Sequence, residues 1–102
     1  MKILVIGSGG VGSAIAAIAQ RRDFFSSMIM ADIDEERAKS VAAATEDVRF
    51  EGVKLDASDS AAIAKFARDN GITVVLNSAD PRFVMPIFDA AFDAGCTYLD
   101  IT

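Results

Sequence analysis

Five residues, Lys2-Ile3-Leu4-Val5-Ile6, run directly into Gly7-Ser8-Gly9-Gly10-Val11-Gly12, and that junction leaves few folds open to this chain. A short apolar run rich in β-branched residues reads as a strand buried on both faces, as in a parallel sheet. It stops at a GxGxxG (Gly7, Gly9, Gly12), after which Val11, Ile15, Ile18 and Ala19 recur at helical spacing. Arg21 and Arg22 fall in the last turn of that helix, where its dipole favours cations. Strand, glycine turn and helix in immediate succession open a parallel α/β sheet.

Each glycine has its own physical reason in such a turn. Gly7 permits the tight exit from the strand, Gly9 lets the backbone approach a pyrophosphate, and Gly12 lets the helix pack closely. The loop over residues 7–12, with Ser8, Gly10 and Val11, then offers N–H groups at a helix start to a diphosphate. A second strand, Met28 to Ala31, ends at Asp32, twenty residues after Gly12. A dinucleotide site wants a carboxylate there for the adenosine ribose hydroxyls. Asp34 is read as the cap of the following helix, about Glu35 to Thr45, with Glu35 and Glu36 in its first turn and Ala38, Val41 and Ala42 inward.

The pattern repeats to the end of the chain. A third strand, Val48 to Lys54, has its regularity interrupted by Phe50 and Gly52. Ser58 or Asp59 caps a helix that runs to Asp69 with Ala62, Ile63, Phe66 and Ala67 inward, and Asn70-Gly71 ends it. Asp56 fits either an acceptor for the adenine amino group or a turn residue. The fourth strand, Ile72 to Leu76, is the most apolar, and it leads into Asn77-Ser78-Ala79, where open α/β sheets place the reacting half of a ligand. Asp80-Pro81 reads as a helix cap with proline at the first position. Pro86 cannot sit deep in a helix, so the spacing predicts a turn over Arg82 to Met85 and a main helix from Pro86 to Ala94. Ile87, Phe88, Ala91 and Phe92 are its expected buried face, Gly95 its stop, and Thr97 to Ile101 the fifth strand.

Five strands alternating with four helices predict a Rossmann-type doubly wound parallel sheet in the order 3-2-1-4-5 over residues 1–102, with helices on both faces. With 102 residues, 52% of them apolar, the chain can bury one core. A net charge of −5 with scattered basic residues argues against nucleic-acid or anionic-membrane partners. No stretch approaches the length of a membrane-spanning helix, and the apolar start is too short for a signal peptide. The single cysteine, Cys96, reads as a small core residue, and the expected compartment is the cytoplasm. With no histidine, the commonest metal ligand and general acid/base is absent. A strand at the chain's end is expected of a domain belonging to something longer, with an uncovered edge that would let it form a homo-oligomer.

By Asn77-Ser78-Ala79 and the run Pro86-Ile-Phe-Asp-Ala-Ala-Phe-Asp-Ala-Gly-Cys-Thr-Tyr-Leu-Asp100, the sequence resembles the cofactor-binding N-terminal domain of the saccharopine dehydrogenase family. The matching positions are Gly7, Gly9, Gly12, Asp32, Asp56, Asn77, Ala94, Gly95, Tyr98 and Asp100. Asp80 before Pro81 departs from the apolar residue usual there. The resemblance implies an NAD(P)-dependent oxidoreductase acting on an amino-acid-derived secondary amine or imine. Family members carry a second domain with the substrate pocket and acid/base residues, so no catalytic residue carries over and this chain alone is not expected to catalyse. Asp32, with Ile33 where an NADP site usually supplies an arginine, predicts NAD over NADP as cofactor. An alternative resemblance, over residues 1–60, is to the non-catalytic NAD(H)-sensing domains of potassium transport systems. The segment Asn77 to Gly95 looks like the dehydrogenase family instead.

Overall fold

The computed structural model describes residues 1–101. Strands β1 (Lys2–Ile6), β2 (Ser27–Asp32), β3 (Phe50–Lys54), β4 (Val74–Asn77) and β5 (Thr97–Asp100) form one parallel sheet in the order β3-β2-β1-β4-β5. Between them run α1 (Gly10–Ala19), α2 (Glu35–Ala44), α3 (Ser60–Asp69) and α4 (Val84–Ala94), the last preceded by a 3-10 turn at Pro81–Phe83. β1 lies at the centre, with Ile6 in register with Ala31 on one side and Asn77 on the other.

Strand alternation splits the core in two. Leu4, Ile6, Ile29, Ala31 and Val75 pack with Ile63, Ala64 and Ala67 of α3 and with Ile87, Ala90 and Ala91 of α4. On the opposite face Ile3, Val5, Met28, Met30 and Val74 pack with Ala16 and Ala19 of α1, Ala42 of α2, and Phe25 and Phe50. Leu4, Ile6, Ile63 and Ile87 are fully buried, and each is worth about 1.5–3 kcal/mol of transfer free energy relative to exposure.

The helix caps lie where the sequence placed them. Asp34 accepts from the Arg37 N–H at 3.1 Å, Asp59 from Ala62 at 3.0 Å and Asp80 from Arg82 at 2.9 Å, while Gly95 ends α4 in the left-handed region with φ 73°. Of the two candidates, Ser58 and Asp59, it is Asp59 that caps α3.

Several inward faces differ from expectation. In α1 the buried residues are Gly12, Ala16 and Ala19, whereas Val11 and Ile18 point to solvent, and the helix stops before Arg21 and Arg22. In α4 Ala90 is buried, and Phe92, expected inward, is 78% exposed, with Phe88 also outside. Small side chains let both helices lie close to the sheet, which pushes the large ones to the flanks. Phe88 and Phe92 pack on each other, and Phe88 meets Tyr98 of β5 edge to face.

Pro86 sits in the first turn of α4, two residues after its start. A helix's first N–H groups have no internal acceptor, so the proline removes no bond there and the helix begins earlier than expected. β4 begins at Val74 and includes Asn77, and β5 stops at Asp100. β3 begins at Phe50, which is core, while Val48 lies in an exposed turn. That turn is organised by Arg49, which donates to Asp47, to the carbonyls of Gln20 and Arg22, and stacks 4.2 Å from the Phe25 ring. Phe25, expected in a surface crossing, is buried in the core beside Phe50. Cys96 is half-buried with Sγ 3.1 Å from the Ile72 carbonyl, and burial pushes its thiol pKa up, away from reactive thiolate. Among the described residues no helix is long and apolar enough to cross a membrane, and no acidic or thiol cluster could hold a metal.

Candidate dinucleotide site

At the carboxyl ends of β1 to β4 the chain exits open a cleft of about 460 Å³. Its walls are Ile6, Gly7 and Gly9 from the glycine turn, Asp32, Ile33 and Arg37 after β2, residues 55–58 after β3, and Ser78, Ala79, Asp80 and Phe83 after β4. The cleft straddles β1 and β4, where the order of the sheet reverses and open α/β sheets leave a crevice for ligands.

The turn is rigid because every strand around it holds it. Gly7 has φ 101°, which side-chain-bearing residues rarely adopt, and a Cβ there would lie 2.9 Å from the Ala79 nitrogen. Its N–H donates to the Ala31 carbonyl at 2.8 Å. Ser78 Oγ lies 2.7 Å from the Gly7 carbonyl and 3.0 Å from that of Ile6, so one hydroxyl staples the β4 turn to the glycine turn. Ser8 is buried, its N–H donating to Asp32 Oδ2 at 2.9 Å and its hydroxyl to the Ala31 carbonyl. The other Asp32 oxygen accepts the Asp34 N–H at 2.9 Å. One carboxylate therefore ties the glycine turn to the β2–α2 turn.

Beyond Gly9 no side chain caps α1, so its first N–H groups remain available to an anion. A Cβ built on Gly9 meets nothing within 4 Å. Gly9 lines the cleft, so a substituent there would occupy cleft space and leave the packing of the fold untouched.

Of the twelve residues singled out from sequence, seven meet on this cleft: Gly7, Gly9, Asp32, Ile33, Asp56, Ser78 and Ala79. The other five are not among its lining. Gly10 and Val11 form the exposed start of α1, and Gly12 is buried against the Gly7 carbonyl. Ser8 faces inward as described. Asn77 is fully buried, accepting from the Ala79 N–H at 2.9 Å and donating to the Tyr98 hydroxyl at 3.1 Å, so its amide shapes the β4 turn from beneath. Burial pushes the Tyr98 phenol pKa up, and its hydroxyl donates to Asp100 at 2.9 Å.

Asp56 is a turn residue that also lines the cleft. Its Oδ1 accepts from the hydroxyl and N–H of Ser58 at 2.6 and 2.9 Å, an Asx turn. Those bonds lower its pKa, and the residue is exposed where it lines the cleft. Arg37, in the first turn of α2, also lines the cleft and is not among the residues singled out from sequence. The signal was present, since Arg37 lies three residues beyond the cap Asp34 and so shares its face of α2. Leu55, Ala57 and Phe83 supply apolar walls that no motif marks.

A doubly wound parallel sheet with a glycine turn, an uncapped first helix and a carboxylate ending β2 defines a Rossmann-type dinucleotide-binding domain. More narrowly, the chain belongs to the family of the saccharopine dehydrogenase NADP binding domain, whose profile matches residues 3–102. Carboxyaminopropylagmatine dehydrogenase from Synechocystis sp. is 28% identical over 99 residues, covering 97% of this chain and 25% of that protein. Apo saccharopine dehydrogenase (L-Glu forming) from Saccharomyces cerevisiae superposes with TM-score 0.82 at 19% identity, over 97% of this chain and 21% of that one. UDP-glucose-4-epimerase from Stenotrophomonas maltophila, solved with bound NAD, gives TM-score 0.74 at 18% identity, over 98% and 36%. Likeness at such identities establishes the fold. The chain spans about a quarter of the length of the curated relative it matches.

Proposed function

We propose that this chain seats the adenosine diphosphate half of a nicotinamide dinucleotide for a longer oxidoreductase that makes or breaks a secondary amine derived from an amino acid. The observation that carries the reading is the cleft itself: Gly9, the cap residue of a helix start with no side-chain cap, and Asp32 line one crevice at the carboxyl ends of the strands. The family match and the dehydrogenase relative support the oxidoreductase assignment, and the substrate class is what the resemblance to the saccharopine dehydrogenase family implies.

The roles divide accordingly. Helix α1 and the glycine turn would take the diphosphate, residues 55–58 with the carboxylate of Asp56 the adenine, and the β4 turn at Ser78 and Ala79 the side from which nicotinamide reaches substrate. When bound, the cofactor supplies hydride transfer, and the chain's task is binding and orientation. Asp32 facing ribose hydroxyls favours NAD, because a 2′-phosphate about 4 Å away would meet a like charge at roughly 1–4 kcal/mol per unit charge. Arg37, 3.8 Å from Asp32, opposes that bias.

Calorimetric titration with NADH and NADPH tests the reading. Saturable binding is expected, lost in Gly9→Val while the fold persists at a cost of about 1 kcal/mol from a poorer helix cap. Binding of neither dinucleotide, or undiminished binding by Gly9→Val, would contradict it.

A further inference from the structure

We propose that Tyr98 is a positioning residue for the nicotinamide side of the cleft: through the buried amide of Asn77, its hydroxyl fixes the turn after β4 on which the reacting half of a dinucleotide would rest. The role rests on the dinucleotide reading above and concerns what holds one wall of that site.

The placement follows from strand register. Tyr98 of β5 pairs with Val75 of β4, and Asn77, two residues further along β4, points to the same face. A tyrosine is long enough to reach from one level to the next. Its ring packs on the core and meets Phe88 edge to face, with centroids 5.4 Å apart, so the hydroxyl is delivered to a fixed point. There Asn77 Nδ2 donates to it at 3.1 Å, and it donates to Asp100 Oδ2 at 2.9 Å.

The direction of these bonds is set by burial. Asn77 is fully buried, and its amide oxygen already accepts the Ala79 N–H at 2.9 Å. Its NH2 group therefore needs an acceptor, and the Tyr98 hydroxyl serves with a lone pair while its own proton goes to Asp100. Ala79, Asn77, Tyr98 and Asp100 thus form one chain from the cleft wall to the end of β5, each donating to the next.

Ser78 has separate anchors on β1. Its N–H donates to the Ile6 carbonyl at 2.9 Å, and its hydroxyl lies on the Ile6 and Gly7 carbonyls. Ala79, which lines the cleft one residue later, has the Asn77 oxygen as the acceptor for its N–H. Without the tyrosine hydroxyl, Asn77 Nδ2 becomes a buried donor lacking this partner, and rotation of the amide to find another releases the Ala79 N–H. The glycine turn and Asp32 keep their own bonds, so the loss falls on the β4 side of the cleft and spares the adenosine diphosphate side.

The test uses Tyr98→Phe, which keeps the ring and removes only the hydroxyl, and Phe88→Leu, which removes the ring contact and keeps the hydroxyl chain. Each is compared with the parent by amide hydrogen exchange without ligand and by calorimetric titration with NADH and with ADP-ribose, which lacks the nicotinamide. Tyr98→Phe should speed exchange at Ala79 while Val75 and Leu76 stay protected. It should weaken NADH about 3- to 10-fold, the loss expected for one buried hydrogen bond. ADP-ribose affinity should not change, and Phe88→Leu should leave the ratio of the two affinities at its parent value. A loss of stability alone would not move that ratio. Equal weakening of both ligands, unchanged NADH binding, or unchanged exchange at Ala79 in Tyr98→Phe would overturn the role of Tyr98 while leaving the dinucleotide site standing. If the parent protein binds neither ligand, the site reading fails and this assignment falls with it.

Discussion

Gly12→Ala is expected to cost about 3 kcal/mol or more, above the usual range for overpacking. A Cβ at Gly12 would lie 2.2 Å from the Gly7 carbonyl oxygen and 3.1 Å from its carbon, and both are backbone atoms. Relief would require Gly7 to move, but the Ala31 carbonyl, the Ser78 hydroxyl and the close approach of Ala79 fix it from two neighbouring strands. The clash therefore propagates into β2 and β4 instead of relaxing locally. Against a typical total stability of 5–15 kcal/mol this is a large fraction, and thermal unfolding should fall by about 10–20 °C. Differential scanning calorimetry checks it, and a midpoint unchanged from the parent would show that the turn is looser than its hydrogen bonds indicate.

Gly52→Ala should be nearly as damaging but in a different place. A Cβ there would sit 2.5 Å from the carbonyl carbon and oxygen of Ala38 and from Lys39 Cα, all backbone of α2. Ala38 itself is fully buried, so the helix already rests on the strand with no space to spare. β3 is an edge strand, however, paired only with β2. The strain can be relieved by peeling β3 away, so the loss should be concentrated in β3 and α2 while β1 and β4 remain protected. Native-state hydrogen exchange separates the cases, with faster exchange at Val53 and neighbouring β3 amides expected and uniform acceleration across the sheet as the contrary result.

The two glycines also mark how much of the molecule could be read from its residues. Gly12 belongs to a recognisable turn, the strand order follows from the alternation of strands and helices with right-handed crossovers, and the caps at Asp34, Asp59 and Asp80 and the stop at Gly95 follow from local chemistry that acts within a few residues. Gly52 looked only like an irregularity in a weak strand, because its reason is a contact with a helix fourteen residues earlier in the chain. The inward faces of α1 and α4 differ in part for a related cause. Ala19, Ile87 and Ala91 are buried as expected. Helical periodicity also gives weight to large apolar residues such as Val11, Ile18 and Phe92, whereas close packing on a parallel sheet selects Gly12, Ala16 and Ala90. Phe25 is buried in the core cluster beside Phe50, with the Arg49 guanidinium over its ring, contacts with distant residues that no local pattern encodes.

The cleft shows the same division. Glycine turn, Asp32 and Ser78 were visible as motif positions. That Asp32 spends both oxygens on backbone N–H groups, that Asn77 turns inward to Tyr98, and that Arg37 reaches the cleft all depend on how separate strand ends are brought together. The same convergence makes Asp32 a tie between two turns as well as a candidate ribose ligand.

The central claim is that a dinucleotide lies across the glycine turn with its diphosphate at the start of α1. The most direct measurement is amide chemical-shift mapping by NMR as ADP-ribose, the portion this chain is proposed to seat, is titrated into the protein. Saturable shifts are predicted at Gly9, Gly10 and Val11, at Ile33 and Arg37, and at Ser58 and Ser78. Shifts confined to α4 and β5, or none at all, would contradict the account.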